Sequence, residues 1–206
     1  MRAIGDIVFG CSLICAFAVV HAQTLPHPEL ISRLRQGGYV LVMRHASSPR
    51  EAPSKSNAHA DNLKSERQLD EAGRRGATAM GDALRALKIP LGTVLTSPTY
   101  RAMETVKLAG FDSPVQVNEL GDGGQSMQGA NEAQAVWLRS KVTQVPQSGN
   151  TILVTHQPNL SRAFPEWGAS VADGETVVLR PDGKGNVTVA GRITIDDWPR
   201  LVRESH

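Results

Sequence analysis

Two apolar runs constrain this chain more than anything else in it. Tyr39-Val-Leu-Val-Met43 and Thr151-Ile-Leu-Val-Thr155 are continuous stretches of aliphatic and β-branched residues. Neither alternates polar with apolar, so each must be covered on both faces, as a strand inside a parallel sheet is. Parallel neighbours cannot be joined by a tight turn and need helical crossovers. The sequence supplies them. Residues 27–36 place Leu30, Ile31 and Leu34 at helical spacing and stop at Gly37-Gly38. Residues 69–87 carry Leu69, Ala72, Met80, Ala83, Leu84 and Leu87 and close before Pro90. A third helix is expected from Ser97-Pro98 to Ala109, with Pro98 at its first position. Further helices are expected at 131–145 and 159–164. Thr93–Thr96 and Val115–Val117 read as short strands. Glu175–Leu179 and Val187–Ile195 alternate about Pro181–Asn186, which is a hairpin pattern. The expected fold is a three-layer α/β/α sandwich with a mainly parallel central sheet and an antiparallel hairpin at its edge. No repeat or linker divides residues 23–206, which read as one domain.

Composition narrows the function classes. A chain of 206 residues with 40% hydrophobic and 20% charged residues can bury a core, which excludes a disordered chain. A net charge of +2 and an aromatic content of 4% give no basis for a nucleic-acid partner. The two cysteines, Cys11 and Cys15, both fall in the uncharged run Ile7–Val20. With Arg2 before it and Val20-His21-Ala22 after it, that run has the pattern of a secretory leader cleaved after Ala22. It is short for a membrane span, and neither cysteine has the small residues of a lipobox before it. A retained anchor is the alternative. Cleavage would leave residues 23–206 without cysteine, exported to the periplasm or beyond, and without stable membrane insertion.

In open α/β sheets, ligands bind beyond the carboxyl ends of the strands. Arg44 and His45 follow the first apolar run. Ser97 and Pro98 follow Thr93–Thr96, with Arg101 a turn into the next helix. His156 follows Thr151–Thr155. Each has an ordinary structural reading when taken alone. Together they gather two guanidiniums and two imidazoles at one sheet edge. Guanidiniums and a helix start suit a tetrahedral oxyanion such as phosphate, and an imidazole beside them offers a nucleophile. No thiolate or carboxylate cluster is present to bind a metal, so no cofactor is expected and the chemistry is expected to be metal-independent.

These residues carry a resemblance. Val42-Met43-Arg44-His45-Ala46 resembles the strand-plus-Arg-His signature of the histidine phosphatase superfamily, with Ala46 where a Gly is usual. Leu69-Asp-Glu-Ala-Gly73 resembles its Leu-Thr-x-x-Gly helix start. Ser97-Pro98-Thr-Tyr-Arg101-Ala-Met-Glu104-Thr105 resembles its Ser-Pro-x-x-Arg-Ala-x-Glu-Thr motif. Thr151–His156 resembles the strand bearing its second histidine. The matches keep family order from about residue 38 to 165. Gln157 and Asn159 after His156 replace the His-Asp pair of the acid-phosphatase branch, and the short Arg101–His156 interval has no room for a large cap domain. The resemblance is therefore to the phosphoglycerate mutase-like branch.

The resemblance implies that His45 forms a phosphohistidine and that Arg44, Arg101 and His156 hold the phosphoryl oxygens. It implies an acid for the leaving group in the segment after the third strand. Glu119 is the first candidate and Asp122, within the glycine-rich stretch Gly121–Gly129, the second. Arg50 and Ser47, in the long polar loop 46–68, are further candidates for phosphate or substrate contact. Arg50 is equally open to being a solvated charge. His59 is expected at the surface, and Glu104 is expected to be structural, capping or pairing within its helix. The implied activity is an exported phosphomonoester hydrolase acting on a small phosphorylated compound or a phosphorylated envelope glycan. A mutase on the same site and a catalytically weak phosphate-binding module are the alternatives.

Overall fold

A computed structural model describes residues 24–122 and 130–205. The leader expected at residues 1–22, with both cysteines, lies outside the described residues, as does the glycine-rich stretch from 123 to 129. The elements run α1 (His27–Gln36), β1 (Val40–Arg44), α2 (Glu71–Ala86), β2 (Leu91–Thr96), α3 (Tyr100–Leu108), β3 (Val115–Gln116), α4 (Glu132–Val142), β4 (Asn150–Thr155), α5 (Gln157–Ala163), β5 (Thr176–Pro181), β6 (Val187–Ile193) and α6 (Asp197–Glu204).

The strands form one sheet in the order β3-β2-β4-β1-β5-β6. β3, β2, β4 and β1 are parallel, and β5 and β6 add an antiparallel hairpin beside β1. The fold is therefore the expected α/β sandwich, and its two apolar runs are the central neighbours β1 and β4. Their side chains alternate between two cores, as a pleated strand requires. Leu41, Met43, Ile152 and Val154 pack with Leu30, Leu34, Met80, Leu84, Val106 and Trp198 of α1, α2, α3 and α6. Val40, Val42 and Leu153 pack on the other face with Leu138 of α4 and Leu160 of α5.

The register of this pair positions the site. Arg44 on β1 lies opposite Thr155 on β4, and His45 N donates to Thr155 O at 3.0 Å. The two strands end level, so His45 and His156 emerge side by side. On the other side of β4, Thr96 lies opposite Val154 and Ser97 N donates to Val154 O at 2.9 Å. Three strand ends thus open onto one point.

Three elements differ from expectation. α3 begins at Tyr100 with Thr99 as its N-cap, so Pro98 precedes the helix. Ser97-Pro98 makes the turn that leaves β2, where Ser97 Oγ accepts from Thr99 N at 3.2 Å. Pro181 closes β5, and the turn is Asp182–Asn186. α6 was not foreseen. Its signal is Trp198, Leu201 and Val202 at i, i+3 and i+4, and Trp198 is fully buried against α2. Among the described residues no helix is long and apolar enough to cross a membrane.

Candidate active site

The long loop after β1 is tied down at its two ends. Ser47 O accepts from Asp70 N at 3.1 Å, and Ser47 Oγ donates to Asp70 Oδ2 at 2.6 Å. Asp70 is the N-cap of α2, its Oδ1 accepting from Gly73 N at 2.7 Å. A Cβ on Gly73 would stand 2.1 Å from Ser47 O, so the helix start can approach the loop this closely only with glycine there. That is the physical content of the Leu69–Gly73 pattern. Ala46 N donates to Thr105 Oγ1 at 3.2 Å and Leu69 N to Glu104 Oε2 at 2.9 Å. Glu104 is buried and also holds Arg74 and His59, so it is structural as expected, with its partners on other elements and not within α3. His59 is half-buried in that network.

At the centre, Arg101 lies buried between the two imidazoles. Its Nε donates to His45 Nε2 at 3.2 Å, and its Nη2 donates to His156 Nδ1 at 3.0 Å. The rings stand with centroids 5.1 Å apart. A guanidinium has only donors and a carbonyl only accepts, which fixes both tautomers. His45 Nδ1 lies 2.8 Å from Ala46 O. It must carry the proton, leaving the lone pair on Nε2. His156 Nδ1 accepts from Arg101, so its Nε2 carries the proton and donates to Ser97 Oγ at 2.7 Å.

Electrostatics agree with neutral rings. Burial pushes the His45 pKa well below 6.5, followed by the effects of His156, Arg101 and Arg44; only the Ala46 carbonyl opposes. Burial does the same to His156, with Arg101, Arg67 and Arg44 adding to it.

The acid candidates reverse their order. Asp122 Oδ2 accepts from Arg101 Nη2 at 2.6 Å and lies 3.5 Å from His156 Nδ1. The Glu119 carboxylate pairs with none of Arg44, His45, Arg101 or His156. Asn118–Leu120 is a 3-10 turn, buried through Leu120. Its carbonyls are pinned by Thr155 Oγ1 on Leu120 O at 2.7 Å and by Asn159 Nδ2 on Gly121 O at 2.9 Å. This clamp delivers Asp122 to Arg101 and leaves Glu119 beside the site. Asn159 is thus a positioning residue for Asp122.

Two further candidates make no contact with this cluster. The Ser47 hydroxyl is spent on Asp70 and does not face the imidazoles. Arg50 is exposed and makes no hydrogen bond or ion pair with any described residue. The loop contributes Arg67 instead, which no sequence pattern singles out. Arg67 Nε donates to Pro49 O at 2.6 Å and its Nη2 to Ser48 O at 3.1 Å. Burial lowers its pKa, and the charges of Arg101, Asp122, Asp173 and Arg44 all act on it, so it stands within electrostatic reach of the cluster. Arg44 completes the set, its Nη2 standing 2.6 Å from Asp173 Oδ1.

Among the described residues no group of three or more His, Cys, Asp or Glu side chains is arranged to hold a metal ion. A separate cavity of about 610 Å³ lies on another face of α3, lined by Tyr100, Met103, Glu104 and Lys107. Its carboxylates are already held by Arg74, His59 and Lys107.

No family model matches the chain, and no curated protein matches its sequence. Solved structures do match. The protein histidine phosphatase SixA complexed with tungstate superimposes with a TM-score of 0.58 at 20% identity, covering 77% of this chain and 98% of that one. A protein named as an alpha-ribazole-5'-P phosphatase from Escherichia coli K-12 gives 0.55 at 16% identity, covering 77% and 98%. A protein named as a phosphohistidine phosphatase SixA from Agrobacterium tumefaciens gives 0.53 at 18% identity, covering 76% and 98%. At these identities the likeness is one of fold.

Proposed function

We propose that this chain, which has the fold of the histidine phosphatase superfamily, hydrolyses phosphomonoesters through a phosphohistidine on His45. One observation carries the reading. His45 is held neutral, its proton kept on Nδ1 by Ala46 O and its Nε2 lone pair turned toward the Arg101 guanidinium, with Arg44 and Arg67 in electrostatic reach of the pair. A neutral imidazole is a nucleophile, a protonated one is not.

The steps derive from the donors. The phosphoryl oxygens take the Arg44, Arg67 and Arg101 guanidiniums, which neutralise charge as it develops on the transferring group. As Arg101 turns to the phosphoryl oxygens it frees the Nε2 lone pair of His45, which attacks phosphorus in line, and the ester P–O bond breaks. The leaving alkoxide takes a proton from Asp122 in its acid form. Water then attacks the phosphohistidine, giving its proton to Asp122. The P–N bond breaks, and phosphate leaves with His45 neutral again. Ser97 holds the His156 tautomer throughout.

The substrate is a small phosphorylated compound or a phosphorylated envelope glycan, reached after export. Support for export is the leader pattern ending at Ala22. Mass spectrometry of the periplasmic protein should find Gln23 at the N-terminus, and an intact Met1 would contradict it. The activity is tested by aryl phosphate hydrolysis with and without chelator. Turnover that survives chelation and disappears in His45→Ala is expected. Phosphate binding without turnover in the unaltered protein would make the chain a binding module.

A further inference from the structure

Arg44 meets the pocket already carrying a counter-ion. Besides the Asp173 contact, its Nη1 donates to Val171 O at 3.0 Å. Both partners belong to the short segment before β5, and that segment is braced. Gly174 N donates to His45 O at 3.0 Å. The buried Glu175 carboxylate accepts from Ala172 N at 2.8 Å and from Arg192 Nε at 2.6 Å. Asp173 is therefore set in place by the same strand end that sets His45.

The contact is nonetheless poorly made. Asp173 Oδ1 is buried and receives no N–H along a hydrogen-bond direction, and Arg44 Nε meets no acceptor among the described residues. The pair attracts by charge while leaving buried donor and acceptor capacity unused, which is costly. A phosphoryl group offers guanidinium a better partner, with several charged oxygens matched to its fork. Asp173 also acts on Arg67, so its charge reaches two of the three guanidiniums.

We infer that Asp173 is a resident competitor for Arg44, a carboxylate that substrate must displace and that reclaims the guanidinium when phosphate leaves. It lowers the affinity of the pocket for oxyanions and eases product release. The inference rests on the phosphatase reading of the site.

The test is calorimetric titration of the full chain with inorganic phosphate, for the unaltered protein, Asp173→Asn and Asp173→Ser. The pair is partly exposed, so removing the charge is expected to tighten phosphate binding by about two- to fivefold, with slower product release in single-turnover traces. Equal or weaker binding in a folded variant overturns the inference and leaves the phosphatase reading standing. If neither variant folds, Asp173 is a structural residue and the inference also falls. If the unaltered protein binds no phosphate, the phosphatase reading falls and this inference with it.

Discussion

His45 and His156 stand 5.1 Å apart between ring centroids, tilted by 60°, and the Arg101 guanidinium donates to both. Both rings present a lone pair to this cation, on Nε2 in one and Nδ1 in the other. The arrangement keeps two buried imidazoles neutral on either side of one buried guanidinium. Most of the expected behaviour derives from it.

Stability should fall on mild acidification. The folded site holds both imidazoles well below 6.5, while the unfolded chain titrates near 6.5. Above that pH both states carry neutral rings and these groups add no pH dependence. Below it the unfolded chain binds protons that the folded site refuses, so stability is lost as pH falls. Melting temperature should drop between about pH 6.5 and 5, and less steeply in His156→Gln. A flat profile in the unaltered protein would contradict the neutral pair. Turnover should persist to lower pH than an ordinary imidazole nucleophile allows.

Asp122→Asn and Glu119→Gln should separate cleanly. Asp122→Asn is expected to cut kcat by about 10²- to 10⁴-fold on alkyl phosphates, whose leaving group needs the proton. In kcat/KM, which reports the steps up to the phosphohistidine, the loss should be far smaller on an aryl phosphate with a good leaving group. Glu119→Gln should stay close to the unaltered rate on both. The reverse order would restore Glu119 as the acid.

Arg67→Ala should raise the inhibition constant for inorganic phosphate by roughly tenfold or more, the scale of one charged hydrogen bond. Arg50→Ala should leave it within about twofold, as a solvated surface charge would. Steady-state inhibition assays on the two variants decide between the loop's arginines.

Gly73→Ala should destabilise the fold by about 1–3 kcal/mol, because its Cβ must push Ser47 O away. The displaced segment lies directly after His45, so kcat should fall as well. Thermal melts and steady-state kinetics on one preparation check both. An unchanged melting temperature would mean that the α2 start and the loop are not in contact.

The residues that strand ends dictate were legible in the sequence. Unbroken apolar runs can only be central strands, and the residues just after them must sit at the carboxyl edge, so Arg44, His45, Arg101 and His156 were found together. The Leu69–Gly73 match was legible too, although its reason, the approach of Gly73 to Ser47 O, needs coordinates. What failed depended on turns. Glu119 and Asp122 are three residues apart, and only the pinning of the 3-10 turn by Thr155 and Asn159 decides which carboxylate reaches Arg101. Arg67 and Asp173 come from loops whose course no periodicity reports. Their signal was weak in each case: a cation just before Leu69, and an acid just before an apolar strand. α6 had a readable pattern in Trp198, Leu201 and Val202, obscured by Pro199 in its first turn.

The most direct measurement is to trap the intermediate. The unaltered protein is mixed with aryl phosphate, quenched within milliseconds into alkali, where phosphohistidine survives, and mapped by peptide mass spectrometry. The account predicts one phosphoryl group on Nε2 of His45, formed and lost at rates compatible with turnover, and none in His45→Ala. A phosphoryl group on His156 or on any other side chain, or turnover that passes through no phosphorylated protein, would contradict it.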